Sequence, residues 1–195
     1  MKKLFVIAVI ASLAFTAKAQ DFNSKLATAK TAYSAGKLED SRFAMQQMLQ
    51  ELDMMSGKQL LKLFPEKLET LAADKTKDNV SGSSGFVGVV THRQYGSGEQ
   101  TAELEMISNS PLVTGLNTLL SVPFLANAGG NQKVIKIDGY KALVQKAGES
   151  DLDGYDVQVP IGSNLLTLRL PKAKEADAIK LASLIPVGEI AKAVQ

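Results

Sequence analysis

The chain of 195 residues has no cysteine, no tryptophan and a single histidine, His92. Without cysteine there are no disulfides, thiolate metal sites, cysteine nucleophiles or amino-terminal lipid anchors on cysteine. With one histidine there is no two-histidine zinc site, and a serine–histidine–aspartate triad would have to use His92. An excess of one charge is missing too, since 22 basic residues stand against 20 acidic ones. Long apolar runs are also scarce. The longest, Leu4 to Phe15, follows Met1-Lys2-Lys3 and precedes Ala17-Lys18-Ala19. A bilayer span needs about twenty apolar residues. A basic start, a short apolar run and a small-x-small site instead describe a secretory signal cleaved before Gln20. Later in the chain, Leu112 to Ala128 is interrupted by Gly115, Asn117 and Pro123, so no membrane span is expected after cleavage.

Loss of residues 1–19 removes Lys2, Lys3 and Lys18 and turns a net +2 into −1. A near-neutral product has no electrostatic footprint for nucleic acid. An exported chain without cysteine takes no stability from an oxidising compartment, so its core must supply it. The expected location is periplasmic or extracellular. Apolar residues at 45% and charged residues at 22% are ordinary for a globular chain.

Residues 20–73 read as helical. Leu26, Ala29, Ala32 and Tyr33 recur at three- and four-residue steps, and Gly36 stops the first helix. A second helix is predicted over Glu39–Met54, with Phe43, Met45, Met48, Leu49 and Leu52 as its apolar face. Shorter helices follow at Lys58–Phe64, which Ser56 can cap, and Glu66–Ala73. Ala32 to Ser41 resembles the turn of a tetratricopeptide repeat, with Ser41 where that family has Ala. The pattern does not recur, and a solenoid needs about three repeats. A helical hairpin is the expected structure.

Residues 74–85 are charged and then rich in Ser and Gly, which reads as a linker. From 86 the period falls to two. Strands are predicted at Phe86–Tyr95, Thr101–Ile107, Lys133–Ile137, Lys141–Ala147, Gly154–Pro160 and Leu165–Leu170. Asp138-Gly139 and Asn164 are the turn residues, and a helix is expected at Leu112–Ala126. Two helices close the chain, at Glu175–Leu184 and Val187–Val194. The fold class is therefore α+β. A helical hairpin precedes a mostly antiparallel sheet of order β-β-α-β-β-β-β-α, covered by helices over residues 86–195.

Candidate sites are few. His92 shares a face with Val90 near the core edge and has no evident orienting partner. Asp151, Asp153 and Asp156 form the densest carboxylate cluster and are the candidate metal ligands. They lack the spacing of a calcium loop, and Asp153-Gly154 also suits a hairpin turn. Glu103 and Glu105 alternate with Leu104 as a solvated strand face. Ser81–Gly85 and Asn127–Asn131 lack the Lys-Ser/Thr of a phosphate loop. Met45, Met48, Met54 and Met55 have the helical spacing of a core stripe, although thioethers also suit adaptable partner surfaces. No catalytic residue and no cofactor is expected.

Three segments carry a further resemblance: Leu61 to Leu68, with its Leu-Phe-Pro-Glu-Lys-Leu; Ile137 to Ala142; and Leu184 to Val187. Together with Asn109-Ser110-Pro111 they resemble a group of exported bacterial proteins of no assigned activity. That group has an x-G-Y-x-A strand, although Pro186 stands where it often has Asp. Its element order is similar to the α/β/α sandwich of the PsbP-type extrinsic proteins. The resemblance implies binding to another protein rather than catalysis.

The expectation is thus a non-catalytic exported protein that binds a protein or envelope component. An alternative is a small-ligand or lipid carrier with an apolar pocket lined by Leu116, Leu119, Leu120, Val122 and Phe124. A hydrolase built on the carboxylates from Asp151 to Asp156 is the third reading.

Overall fold

The computed structural model describes residues 22–82, 88–98, 100–122, 131–148 and 154–194. Their contacts form two compact units, one ending at Asp53 and one running Met54–Gln195. Residues 1–19, expected from the sequence to be a cleaved signal, lie outside the described residues.

The first unit is a helical pair. Helix α1 spans 22–34, and α2, Leu38–Leu61, begins in this unit and crosses the boundary. At the turn, Lys37 N–H donates to Ala32 O at 2.9 Å and Gly36 N–H to Tyr33 O at 3.0 Å. These nested bonds close a helix on a left-handed residue, and Gly36 supplies that conformation at φ 72°. The helices meet through Ala29, Ala32, Ser41 and Ala44, all buried. Ser41 Oγ donates to Ala29 O at 2.9 Å, and Lys25 pairs with Glu51. Small residues let the two backbones approach closely. The predicted apolar face of the second helix is not the buried one: Phe43, Met45, Leu49 and Leu52 are exposed, and Met48 is half-buried.

The second helix is also longer than expected. Ser56-Gly57 lies inside α2 rather than between two helices. Gly57 is buried, and a Cβ there would stand 2.6 Å from Val80 Cγ1 and 2.8 Å from Thr91 Oγ1. The glycine serves close packing of the helix on the sheet instead of breaking it.

Residues beyond Pro65 are strands rather than a helix and a linker. Strand β1 is Lys67–Leu68 and β2 is Leu71–Gly82, joined by a turn with Glu69 at φ 56°. The 20–73 and 74–85 boundaries therefore both shift. An edge strand needs few apolar residues, since solvent reaches its free side, and charges there prevent unwanted pairing. Lys75, Lys77 and Asn79 are exposed accordingly.

The remaining strands are β3 (Val89–Ser97), β4 (Gln100–Ile107), β5 (Gln132–Ile137), β6 (Tyr140–Lys146), β7 (Tyr155–Ile161) and β8 (Asn164–Leu170). Helices α3 (Leu112–Ser121), α4 (Glu175–Ala182) and α5 (Val187–Val194) complete the unit. The described strands form one sheet of order β1-β2-β3-β4-β8-β7-β6-β5, antiparallel throughout. It consists of two four-stranded meanders joined at its centre by β4 and β8. Asp138 (φ 49°) and Gly139 (φ 85°) make the β5–β6 turn, as two-residue hairpins require. The β7–β8 turn uses Gly162-Ser163, and Asn164 already belongs to the strand.

Alternation divides the sheet into two packed faces. Leu104, Met106, Val157, Val159, Leu166 and Leu168 face the main core, where α4 adds Ala178, Leu181 and Ala182 and α5 adds Val187, Ile190 and Ala191. On the opposite face, Val113, Leu116 and Leu120 of α3 pack on Leu143 and Leu165. The second unit is therefore a helix–sheet–helix sandwich of the mixed α+β class.

Candidate functional site

The α3 face of the sheet turns polar beyond that small apolar cluster. Pairing registers set Gln94, Glu103, Arg169, Asp156 and Gln145 in one row across β3, β4, β8, β7 and β6. His92, Glu105, Thr167 and Gln158 form the next row. Arg169 Nη2 reaches Glu105 Oε1 at 3.5 Å, and His92 Nε2 is 3.9 Å from Glu103 Oε2. The second distance is too long for a hydrogen bond, so the two do not form an acid–base dyad. Burial raises the Asp156 carboxyl above the usual carboxylate range; Arg169 opposes this and Glu103 adds to it. The rows form an electrostatic surface, and among the described residues they contain no hydrogen-bonded nucleophile and base.

Asp151 and Asp153 lie outside the described residues, and Asp156 stands mid-row in β7. Among the described residues no group of three or more His, Cys, Asp or Glu can hold a metal ion. His92 lies on the Val90 face, half-buried. Glu103 and Glu105 are also half-buried rather than fully solvated, because the neighbouring strands crowd them.

The residues proposed to line an apolar pocket are spent on packing. Leu116 and Leu120 fill the space against Leu143 and Leu165, with Leu119 beside them. Val122 is exposed, and Phe124 lies outside the described residues. A groove of about 470 Å³ occurs elsewhere, between the β1–β2 turn and the β8–α4 connection. Leu71, Leu170 and Leu181 line it, with Glu69, Lys172 and Asp177 among its polar residues. Its mixed lining singles out no ligand chemistry.

Sequence reasoning missed a buried cation. Arg93 follows Val89 and Thr91 on the inward side of β3. Its Nε and Nη2 donate to Asp78 at 2.9 and 2.6 Å, and Nη1 donates to Phe64 O at 2.9 Å. This fork ties β2 and the segment after α2 to β3. Tyr95, two residues along the same face, is fully buried, and its hydroxyl has no hydrogen-bond partner among the described residues. Burial pushes that phenol well above its ordinary range and keeps it neutral. The signal was available: period-two alternation from Val89 points Arg93 inward, and an inward guanidinium requires an acceptor.

The helical pair presents a different kind of surface. Leu26, Tyr33, Leu38, Met45, Leu49 and Leu52 are between 44% and 66% exposed. At 100° per residue, Leu38, Met45, Leu49 and Leu52 cluster about 90° from the α2 line that meets α1. Leu26 and Tyr33 sit about 70° from the α1 line that meets α2. Because the helices run antiparallel, both displacements fall on the same side of the pair. Six large apolar side chains thus share one open face, while the buried seam holds only small ones. The pair has its small residues inside and its large ones outside, the reverse of a self-sufficient hairpin.

By fold and surface this is an α+β sandwich carrying a helical pair with an open apolar face. No protein-family model, no curated protein and no solved structure matches the chain.

Proposed function

We propose that the chain is an exported, non-catalytic protein that acts by docking on another protein or envelope component through the apolar face of α1 and α2. One observation carries the reading: the helical pair buries Ala29, Ala32, Ser41 and Ala44 and leaves Leu26, Tyr33, Leu38, Met45, Leu49 and Leu52 open on a single face. Patches of this kind on soluble chains mark interaction surfaces, because exposed apolar area is costly in water. The flexible thioether of Met45 suits an adaptable contact. The amino-terminal signal pattern supports export, as does the resemblance to exported bacterial proteins.

Photo-crosslinking in cells tests the proposal. A photoreactive residue at position 45 or 49 should form adducts. One at position 43, exposed on the opposite flank of α2, should not. Adducts of equal yield from all three positions, or from none, would contradict it.

A further inference from the structure

We infer that the occupant of this face is a second copy of the same chain, paired antiparallel about a two-fold axis that crosses α2 near residue 47. The inference rests on the docking reading above and names its partner.

The first support is area. At about 200 Å² for a fully exposed large side chain, the six residues present on the order of 600 Å². A standard interface buries about 800 Å² on each partner, so the apolar residues alone supply about three quarters of one. A symmetric pair has to be self-complementary, and this face meets that condition.

The second support is register. Leu38 to Leu52 covers about 21 Å of helix at 1.5 Å per residue. An axis near residue 47 sets Met45 opposite Leu49 of the second copy, and Leu49 opposite its Met45. Within one pair, the Ser41–Ala29 and Lys25–Glu51 contacts bring Leu26 level with residue 47 of α2. Leu26 then meets Leu26 of the second copy close to the axis. Four antiparallel helices pack around one apolar seam, the arrangement of a four-helix bundle.

The third support is charge. Arg42 and Asp53 flank the apolar stripe on its outer side, the side away from α1. Facing antiparallel helices bring their matching flanks together, so the same axis sets Arg42 opposite Asp53 of the second copy. Symmetry makes that pair twice. One axis therefore aligns the central apolar contacts, Met45 with Leu49 and Leu26 with Leu26, together with the Arg42–Asp53 charge pairs.

The test is sedimentation equilibrium on protein expressed as the full chain and purified in its processed form. The wild-type chain should be a dimer. Leu49→Asp should raise the dimer dissociation constant by about tenfold or more. Arg42→Asp and Asp53→Arg alone should each weaken it by about fivefold, because each replaces two attractive contacts by two repulsive ones. The double swap should restore it to within about threefold of wild type. Circular dichroism should show unchanged helicity in every variant. A chain that stays monomeric at about 100 µM overturns the inference. So does a dimer indifferent to Leu49→Asp, or a double swap that fails to restore pairing. If the chain is monomeric and crosslinking at position 45 captures a different protein, self-pairing fails while the docking reading stands. If it is monomeric and nothing crosslinks, both fail.

Discussion

A guanidinium inside an apolar layer is costly unless its donors are met, and Arg93 meets its requirement with Asp78 and the Phe64 carbonyl. Removing the carboxylate leaves the charge buried and unpaired. Asp78→Ala should lower unfolding stability by about 3–5 kcal/mol, read from urea titration. Replacing both partners with apolar residues, Arg93→Met with Asp78→Leu, should cost less than that single change. A loss under about 1 kcal/mol for Asp78→Ala would contradict this account. Asp156 presents the opposite case. Its carboxyl is raised by burial, so the folded state binds its proton more tightly than the unfolded chain does. Stability from this group is full below the ordinary value of 3.8 and falls as pH rises through the raised one. Asp156→Asn should therefore raise Tm at neutral pH, with the gain shrinking to nothing as pH falls toward 3.8. A gain that does not vary with pH would point to packing instead. Asp138 joins two elements: its Oδ2 accepts Gly188 N–H at 2.6 Å in the first turn of α5. A Cβ on Gly188 would stand 2.8 Å from that oxygen, so the glycine permits the approach. Asp138→Ala should cost about 1–2 kcal/mol through the lost cap and the strain of a left-handed alanine, whereas Asn tolerates both demands.

At the scale of elements, agreement with the sequence followed the clarity of the period. Six predicted strands occur within one to three residues of their expected limits, because alternation and turn residues such as Asp138-Gly139 act locally. The helix stop at Gly36 was legible for the same reason. Its φ of 72° is left-handed with no neighbour within 4 Å, so only backbone strain opposes a side chain there. Gly36→Ala should cost about 1–2 kcal/mol and Gly36→Asn less, by thermal melts. Strand β2 was not legible, because beyond its short pairing with β1 one side of it is free and it carries charges that read as a linker. Gly57 was not legible either: the sequence cannot distinguish a glycine that ends a helix from one that admits a neighbouring Val80. The apolar periodicity of α2 was visible, but the face it turns to α1 was not. Small residues took the seam, which reversed the expected assignment of Met45, Leu49 and Leu52.

For the whole molecule, two compact units with unequal cores imply unequal local stability. Below the concentration at which copies pair, amides of residues 22–53 should exchange with deuterium well before those of β4 and β8 at the sheet centre. Coincident protection would show that the units unfold as one. What the sequence determined alone was local: helix before sheet, alternating strands, the turn residues, and the chemistries excluded by missing cysteine and scarce histidine. Those follow from side-chain type and from periods of two and 3.6, which need no distant partner. Tertiary structure alone decided which stripe of α2 stayed open, that Arg93 and Asp78 pair across fourteen intervening residues, and that His92, Glu103, Arg169 and Asp156 share one sheet face. Each of these depends on strand order and helix approach, where residues far apart in the chain compete for the same neighbours.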